Sequence, residues 1–378
     1  MPPLTTLIKP ASGNCNLRCK YCFYYDVMNS REVKNYGIMS ENTAEQLVKK
    51  AFDFAEGQVT FAFQGGEPTM ASLDFFKKFI VLEKKYNKNN IKVNNALQTN
   101  GIVIDDEWAR FFHDNEFLIG LSMDGYKEIH NYYRIYPNGD DTFSTVLKTA
   151  KLFDKYDVMY NILCVVNKHV AKHGRKVYNF YKKQGFKFLQ FIPCLDEIGE
   201  EPGRNPYSLT PKDYETFLKN IFDLWYEDFV KGDGISIRMF DNILQIILGY
   251  EPESCDMRGH CSVSSVIEAD GSIYPCDFYV LDEWKLGNVV DIGFEDIFKS
   301  ETAIRFIKES INTDPECQNC EFYRICRGGC KRHKEPKIDG KYTTNYFCSA
   351  YKEFYKYTLP RFVEIARNIK QNNNIVNK

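Results

Sequence analysis

Residues 15–24 read CNLRCKYCFY and decide the fold, because they place Cys15, Cys19 and Cys22 in the order C-x3-C-x2-C. Four-iron clusters normally take four cysteine thiolates, and the next cysteine along the chain is Cys164. The motif therefore predicts a cluster that leaves one iron open to a small-molecule ligand. S-adenosylmethionine (AdoMet) suits that iron because its amino and carboxylate groups can chelate it. A zinc site short of its fourth ligand, or three unrelated thiols, is the alternative interpretation.

Around this motif, short β-type runs alternate with amphipathic helical runs from residue 4 to about residue 194. The pattern predicts strands over 6–9, 59–63, 92–97, 118–122, 160–165 and 188–192. It predicts helices over 42–54, 73–86, 106–113, 143–156 and 174–184. Parallel strands need crossover connections, so six such repeats predict an α/β fold, a partial (β/α)6 TIM-like barrel. The chemistry is expected at the C-terminal ends of the strands, where the three-cysteine loop follows the first strand.

The rest of the chain divides into three further segments, which leaves residues 1–196 for the partial barrel. Residues 197–252 are predicted to be a helical linker region, with helices over 211–230 and about 241–248. From 253 to 350 the sequence is rich in cysteine and short strands, which predicts a small second domain. Residues 351–378 are predicted to form a C-terminal helix and tail.

The amino-acid composition argues against a nucleic-acid-binding, membrane-spanning or secreted protein. The chain has 49 lysines and arginines against 51 aspartates and glutamates, so no basic field favours nucleic acid or an anionic membrane. No run approaches the roughly 18 apolar residues of a membrane span, and the first residues lack a signal peptide, which predicts a cytoplasmic protein. In that reducing compartment, 13 cysteines indicate metal ligation rather than disulfides, and exposed clusters indicate an anaerobic setting.

Residues 63–69 read FQGGEPT and end the second predicted strand. Paired glycines there let the backbone approach a ligand closely, and a carboxylate after them can hold an ammonium group. A plain strand-to-helix turn is the alternative. With the cysteine motif upstream, the first two hundred residues resemble the radical S-adenosylmethionine superfamily, in which C-x3-C-x2-C holds the cleaving cluster and G-G-E-P binds the methionine amine. The resemblance implies that the cofactor contacts Tyr21, Gly65, Gly66, Glu67, Ser122, Arg134 and Leu195.

A second cysteine pattern occupies residues 255–348 and resembles the SPASM extension of peptide-modifying radical enzymes, which carries two auxiliary four-iron clusters. The resemblance implies a first ligand set of Cys255, Cys261, Cys276 and Cys330 and a second of Cys317, Cys320, Cys326 and Cys348. Structural zinc is the alternative, because the same sulfur-rich spacing suits it. The neighbouring cations either form a solvated face or raise the reduction potential of a cluster; they are Arg327, Lys331, Arg332 and Lys334.

The segment CDFY at 276–279 narrows the resemblance further. Asp277 directly follows a predicted ligand, so its carboxylate is expected near a cluster, where it can act as a base. A hydrogen-bonding turn residue is the alternative role. Together with IKP at 8–10, CFY at 22–24 and LQFI at 189–192, this segment makes the whole chain similar to the anaerobic sulfatase-maturating enzymes.

That resemblance implies oxidation of a cysteine or serine in a sulfatase to Cα-formylglycine. A 5'-deoxyadenosyl radical would remove the Cβ hydrogen, Asp277 would take the thiol or hydroxyl proton, and an auxiliary cluster would take the second electron. It also implies three [4Fe-4S] clusters and AdoMet as cofactors. The expected partners are a sulfatase polypeptide or peptide with a C/S-x-P/A-x-R type motif, and a flavodoxin- or ferredoxin-type reductant.

Two other functions fit parts of the sequence. A SPASM-type peptide maturase that forms a thioether or carbon–carbon crosslink would use the same fold and clusters. A ferredoxin-like electron-transfer protein would need neither the barrel nor Gly65-Gly66-Glu67.

Overall fold

The fold is known from a computed structural model that describes residues 3–311 and 314–376. The strands are β1 (Leu4–Ile8), β2 (Gln58–Phe63), β3 (Lys92–Thr99), β4 (Leu118–Ser122), β5 (Tyr160–Val166), β6 (Phe188–Pro193), β7 (Ser236–Ile237), β8 (Val266–Ile267), β9 (Ser272–Tyr274) and β10 (Gly287–Asn288). The six predicted barrel strands are β1 to β6, and each is confirmed with ends within two residues of the prediction.

Strands β1 to β4 lie side by side and parallel. β1 pairs with β2 from Leu4 opposite Val59 to Ile8 opposite Phe63. On the other edge of β1, the short strand β8 pairs in parallel, and β8 continues through the antiparallel strands β9 and β10. Further along the chain, β5 pairs in parallel with β6, and β6 with β7. The sheet is therefore parallel wherever it is built from the repeated βα segments.

The helices are α1 (Phe23–Asn29), α2 (Glu41–Phe54), α3 (Leu73–Tyr86), α4 (Asp106–Asp114), α5 (Lys127–Tyr133), α6 (Phe143–Lys155), α7 (Lys168–Lys172), α8 (Gly174–Gln184), α9 (Pro211–Val230), α10 (Arg238–Leu248), α11 (Phe294–Lys299), α12 (Glu301–Ser310), α13 (Pro315–Gln318), α14 (Tyr323–Cys326) and α15 (Cys348–Val376). The last two residues of the predicted tail lie outside the described residues. Within the described chain, no helix has both the length and the apolar character needed to cross a bilayer.

Aromatic side chains join the strands to the helices that follow them. Phe61 and Phe63 of β2 are buried and meet Phe76 and Phe79 of α3, with ring centroids 5.0 to 5.2 Å apart. Such edge-to-face pairs add to the stability that comes from burying apolar area. Helix α3 is thereby fixed against the outer face of the strand, and residue 64 emerges at the strand's C-terminal end.

The chain forms two compact units, and each contains separate stretches of sequence. The first consists of residues 1–123, 130–161 and 262–307, and the second of residues 124–129, 162–261 and 308–378. These units are defined by spatial compactness, whereas the predicted domains are defined by sequence character. The predicted boundaries at 196, 252 and 350 therefore stay a prediction.

Candidate functional site

The three-cysteine loop, residues 9–22, leaves the C-terminal end of β1 and is held by the turn after β2. The amide of Gly66 donates to the Ser12 carbonyl at 2.9 Å, and the amide of Glu67 donates to the Asn14 carbonyl at 2.7 Å. A Cβ on Gly66 would lie 2.3 Å from the Asn14 carbonyl oxygen, and Gly65 has a φ of +125°. The paired glycines are therefore needed for the cysteine loop itself to approach the turn.

The thiols of this loop have the character that an iron–sulfur cluster requires. Burial raises the pKa of Cys15 to about 11, and the nearby Glu67 and Cys22 contribute to that increase. A thiolate in such a place needs a bound cation to be stable, because burial disfavours the charged form. Donors already face the sulfurs: the Leu17 amide lies 3.4 Å from Cys15 Sγ and Asn100 Nδ2 lies 3.8 Å from it. The thiols and these donors fit a bound cluster, since hydrogen bonds to the cysteine sulfurs are among the features that set the reduction potential of a cluster.

Glu67, expected to hold the methionine amine, is 2 % exposed and accepts four hydrogen bonds within the protein. Oε1 accepts from the amide and hydroxyl of Thr69 and from the Thr99 hydroxyl at 2.8 Å, and Oε2 accepts from the Asn100 amide at 2.7 Å. Burial raises the pKa of Glu67, whereas these donors lower it. The carboxylate thus ties the ends of β2 and β3 together, and its contact with AdoMet stays a prediction.

Two other predicted AdoMet contacts lie beside the cysteine loop. The guanidinium of Arg134 has Nη1 4.0 Å from Cys19 Sγ, and its carbon lies 5.6 Å from the ring centroid of Tyr21, within the range of a cation–π interaction. Ser122 is the last residue of β4 and is buried. Leu195 follows β6 in the second compact unit, where it lines a pocket of about 320 Å³. The contacts of these residues with the cofactor stay predictions.

Asp277 lies on a 3-10 helix, Asp277–Tyr279, directly after Cys276. The ammonium group of Lys9 donates to Oδ1 of Asp277, and Gln64 Nε2 donates to Oδ2 at 2.7 Å. Lys9 follows β1 and Gln64 follows β2, so Asp277 is held at the C-terminal ends of these two neighbouring strands. Its side chain is 13 % exposed, which leaves it open to a ligand. This arrangement orients the carboxylate and leaves part of its acceptor capacity unused.

A buried polar network lies next to Asp277. Tyr24 packs its ring 3.9 Å from the Lys9 ammonium nitrogen, and its hydroxyl donates to Glu268. Glu268 also pairs with Arg31 at 2.7 Å, and both of those side chains are fully buried. Burial raises the pKa of Tyr24, so this tyrosine stays a hydrogen-bond donor. The network fixes the positions of Tyr24 and Lys9 beside the carboxylate.

The second predicted ligand set converges in the second compact unit. Its members line one pocket of about 340 Å³ together with aromatic side chains; the members are Cys317, Cys320, Cys326 and Cys348. Burial raises the pKa of Cys326 to about 12, and the other three thiols contribute to that increase. Within the described residues no group of three or more His, Cys, Asp or Glu side chains is close enough together to hold a single metal ion, whereas the thiolates of a four-iron cluster each bind a different iron and lie further apart. Four soft thiols around an open pocket fit a cluster.

Three members of the first predicted set also lie together. Burial raises the pKa of Cys330, and the Cys255 and Cys261 thiols add to that increase. The fourth predicted member, Cys276, belongs to the other compact unit. The three thiols fit a cluster by the same chemistry as the second set, and the ligand role of Cys276 stays a prediction.

Sequence reasoning missed Lys9 and Gln64 as partners of Asp277. A signal was available, because both are polar residues placed immediately after parallel strands, where the side chains of an active site gather. Lys334, a buried lysine near the auxiliary cysteines, was noticed only as one member of a cationic run.

Comparison with known families agrees with both motifs. Residues 10–177 match the Radical SAM superfamily, and residues 255–321 match the SPASM iron-sulfur cluster-binding domain. The zinc interpretations of the two cysteine patterns are therefore not supported.

Relatives extend the match to almost the whole chain. A cysteine-type anaerobic sulfatase-maturating enzyme of Clostridium perfringens is 52 % identical over 98 % of this chain and 100 % of its own length. A serine-type enzyme of Bacteroides thetaiotaomicron is 32 % identical, with 95 % of this chain and 90 % of the relative covered.

Solved structures agree with the fold. The structure of native anSMEcpe with bound AdoMet and Cp18Cys peptide has a TM-score of 0.94 and 51 % identity, covering 97 % of this chain and 100 % of that one. SuiB of Streptococcus suis bound to its precursor peptide SuiA has a TM-score of 0.65 at 16 % identity, covers 92 % of this chain and 76 % of that one, and shows the fold alone. The predicted partial barrel with a SPASM domain is confirmed. The chain belongs to the anaerobic sulfatase-maturating enzymes, radical S-adenosylmethionine enzymes with three four-iron clusters that form Cα-formylglycine.

Proposed function

We propose that the protein converts a cysteine of a sulfatase to Cα-formylglycine and that Asp277 is the proton acceptor in this oxidation. The cysteine preference is supported by relatives above 50 % identity, which are of the cysteine type. The observation that carries the assignment is the placement of the Asp277 carboxylate between Lys9 and Gln64, beside the cysteine loop.

When bound, AdoMet and its cluster supply the radical that removes the substrate's Cβ hydrogen, and the auxiliary clusters accept the second electron. Asp277 receives the thiol proton, for which it has free lone pairs on both oxygens. Lys9 and Gln64 fix its orientation by donating to its two oxygens. Hydrolysis of the resulting thioaldehyde gives the aldehyde and releases the sulfur as sulfide.

The substrate is proposed to be a peptide segment with a C/S-x-P/A-x-R type motif, and the electron donor a flavodoxin- or ferredoxin-type protein. The peptide-bound structure of a relative at 51 % identity supports a peptide ligand. Nothing in the balanced overall charge of -2 favours a polyanionic partner.

An anaerobic assay with two matched peptides tests the proposal. One peptide carries cysteine and the other serine at the target position, and mass spectrometry follows the products. We expect formylglycine, which has lost the sulfur atom, to form faster from the cysteine peptide. A product that keeps the sulfur and has lost only hydrogen would be a crosslink and would contradict the proposed function. Faster oxidation of serine would contradict the cysteine preference.

A substitution in the second auxiliary set separates radical formation from product formation. Cys320→Ala is expected to lower iron from about twelve to about eight per chain and to lower the melting temperature, because a small cysteine-rich region draws much of its stability from its metal. Deoxyadenosine formation should continue while formylglycine falls. The matched control is Cys164→Ala, a buried cysteine in β5 that should keep all the iron. Equal, complete loss of both products in a folded Cys320→Ala protein would contradict an electron-outlet role.

A further inference from the structure

Glu268 is fully buried in the first compact unit, and it follows the strand next to β1. That strand, β8, ends at Ile267, whose carbonyl accepts from the backbone amide of Lys9 at 2.8 Å. The sheet order β8, β1, β2 therefore brings Glu268, Lys9 and Gln64 to the C-terminal ends of three adjacent strands. Side chains of an active site gather at such strand ends.

Both carboxylate oxygens of Glu268 are bound by donors of the protein. Oε1 accepts from the Tyr24 hydroxyl and from Arg31 Nη1, the latter at 2.7 Å. Oε2 accepts from the amide of Ala269 at 3.3 Å. The other terminal nitrogen of Arg31 donates to the Lys34 carbonyl at 3.0 Å, which fixes the guanidinium group from a second side.

Tyr24 lies between two buried pairs of opposite charge. Its hydroxyl donates to Glu268, and the charge of Glu268 is compensated by Arg31. Its ring centroid lies 3.9 Å from the ammonium nitrogen of Lys9, and the charge of Lys9 is compensated by Asp277. The tyrosine thus turns its hydroxyl toward one ion pair and its ring face toward the other.

This arrangement makes the orientation of Tyr24 depend on Glu268. A buried hydroxyl without an acceptor is costly, and a hydrogen bond to a carboxylate is among the stronger ones. Without Glu268 the hydroxyl would have to turn to another acceptor, and the ring would leave its place beside Lys9. Arg31 contributes by compensating Glu268, because an unpaired carboxylate there would compete with Asp277 for the Lys9 ammonium group.

We propose that Glu268 is a positioning residue for formylglycine formation and that it acts through Tyr24. By holding the Tyr24 hydroxyl, Glu268 keeps the ring face against Lys9, and Lys9 in turn keeps the Asp277 carboxylate in place. The inference rests on the proposed role of Asp277 as the proton acceptor. Its consequence is that loss of Glu268 lowers the yield of formylglycine for each 5'-deoxyadenosine formed.

The test measures both compounds in the same reaction, with full-length reconstituted protein and the cysteine peptide. Arg31→Met combined with Glu268→Met, the double Met variant, removes both buried charges together and so leaves neither one uncompensated. It also leaves the Tyr24 hydroxyl without its acceptor. We expect the yield of formylglycine per deoxyadenosine to fall about tenfold, the rate equivalent of one hydrogen bond to a charged group. Tyr24→Phe should cause the same fall, and its addition to the double Met variant should cause no further loss.

Two further variants separate this role from a general effect on packing. Arg31→Met combined with Glu268→Gln also removes both charges but keeps an amide oxygen for the Tyr24 hydroxyl, so it should recover most of the yield. Tyr178→Phe is the matched control in the second compact unit, because it removes a buried tyrosine hydroxyl that donates to Asp228 at 2.9 Å. It should behave as the parent protein.

Three results would overturn the inference. The first is a parent-like yield in Tyr24→Phe or in the double Met variant. The second is an additive, about hundredfold loss when Tyr24→Phe is added to the double Met variant, since additivity indicates independent effects. The third is an equal fall in the Met and Gln variants of Glu268. If the double Met variant loads fewer than about twelve irons, the comparison of Tyr24→Phe with Tyr178→Phe decides.

Asp277→Asn in the same assay keeps this inference apart from the proposed function. A parent-like yield in Asp277→Asn would contradict the role of Asp277 as proton acceptor. A fall in that variant, together with parent-like yields in Tyr24→Phe and the double Met variant, would contradict the role of Glu268 alone.

Discussion

Replacement of Cys15, Cys19 and Cys22 by alanine is expected to abolish AdoMet cleavage and to remove about four of about twelve irons per chain. The three thiols are the predicted ligands of the cluster that cleaves AdoMet, and without them that cluster would have no site. The measurements are total iron and sulfide after anaerobic reconstitution, and 5'-deoxyadenosine by chromatography. Thermal stability should fall little, because backbone hydrogen bonds from Gly66 and Glu67 hold the loop independently of the metal.

Cys164→Ala again serves as the control, since Cys164 lies inside β5 and belongs to none of the predicted ligand sets. It should keep the iron content and the rate of deoxyadenosine formation. Residual AdoMet cleavage in the triple variant would mean that another cluster performs it. Zinc in place of iron in the reconstituted parent protein would contradict the cluster assignments as a whole.

Asp277→Asn is expected to lower formylglycine formation by on the order of a hundredfold or more, the usual scale for losing a positioned general base. Asparagine keeps the size of the side chain and one oxygen acceptor but cannot take up the proton. The variant should still bind three clusters and cleave AdoMet, so deoxyadenosine should accumulate without product. Both compounds are quantified in the same reaction.

The fully buried Lys9 complicates this variant and also provides its control. Removal of one partner from a buried ion pair costs about 3–5 kcal/mol, so Asp277→Asn is expected to be less stable. Lys9→Met combined with Asp277→Asn removes both charges and should recover stability without recovering product. Asp296→Asn, an exposed aspartate in α11, should behave as the parent. Near-normal peptide oxidation by Asp277→Asn would show that Asp277 is only a turn residue and that another group accepts the proton.

Local sequence patterns predicted the elements that bury a regular apolar face. The bounds of α3, α8 and α9 agree with the prediction, because each helix is long enough for its periodicity to show. Helix α5 (Lys127–Tyr133) was missed, since seven mostly polar residues give too little periodicity. Helix α1, whose residues follow the cysteine motif directly, was missed for the same reason of length.

The site residues that belong to a local sequence motif could be predicted. The residues that reach the site through contacts between distant parts of the chain could not. The cysteine patterns and Asp277 are marked by their neighbours in sequence. The donors to Asp277 are 268 and 213 positions away, and no local pattern encodes such pairings. The predicted role of the paired glycines, a close approach of the backbone to a ligand, stays a prediction, and the structure adds that Gly66 lies against the backbone of the cysteine loop.

The distance between Lys9 and Asp277 along the chain has a consequence for biosynthesis. The ribosome releases Lys9 and the cysteine motif early, whereas β8, which covers the outer edge of β1, and Asp277 emerge only after most of the chain has been made. Until then β1 presents an unpaired edge, and the ammonium group of Lys9 lacks the carboxylate that compensates its burial. A nascent or prematurely terminated chain can therefore contain every predicted ligand of the AdoMet-cleaving cluster without a completed first unit. Residues 266–277 must be made before the outer edge of β1 is covered and Lys9 meets the Asp277 carboxylate, so the proposed radical chemistry and its proposed proton acceptor come together only late in synthesis.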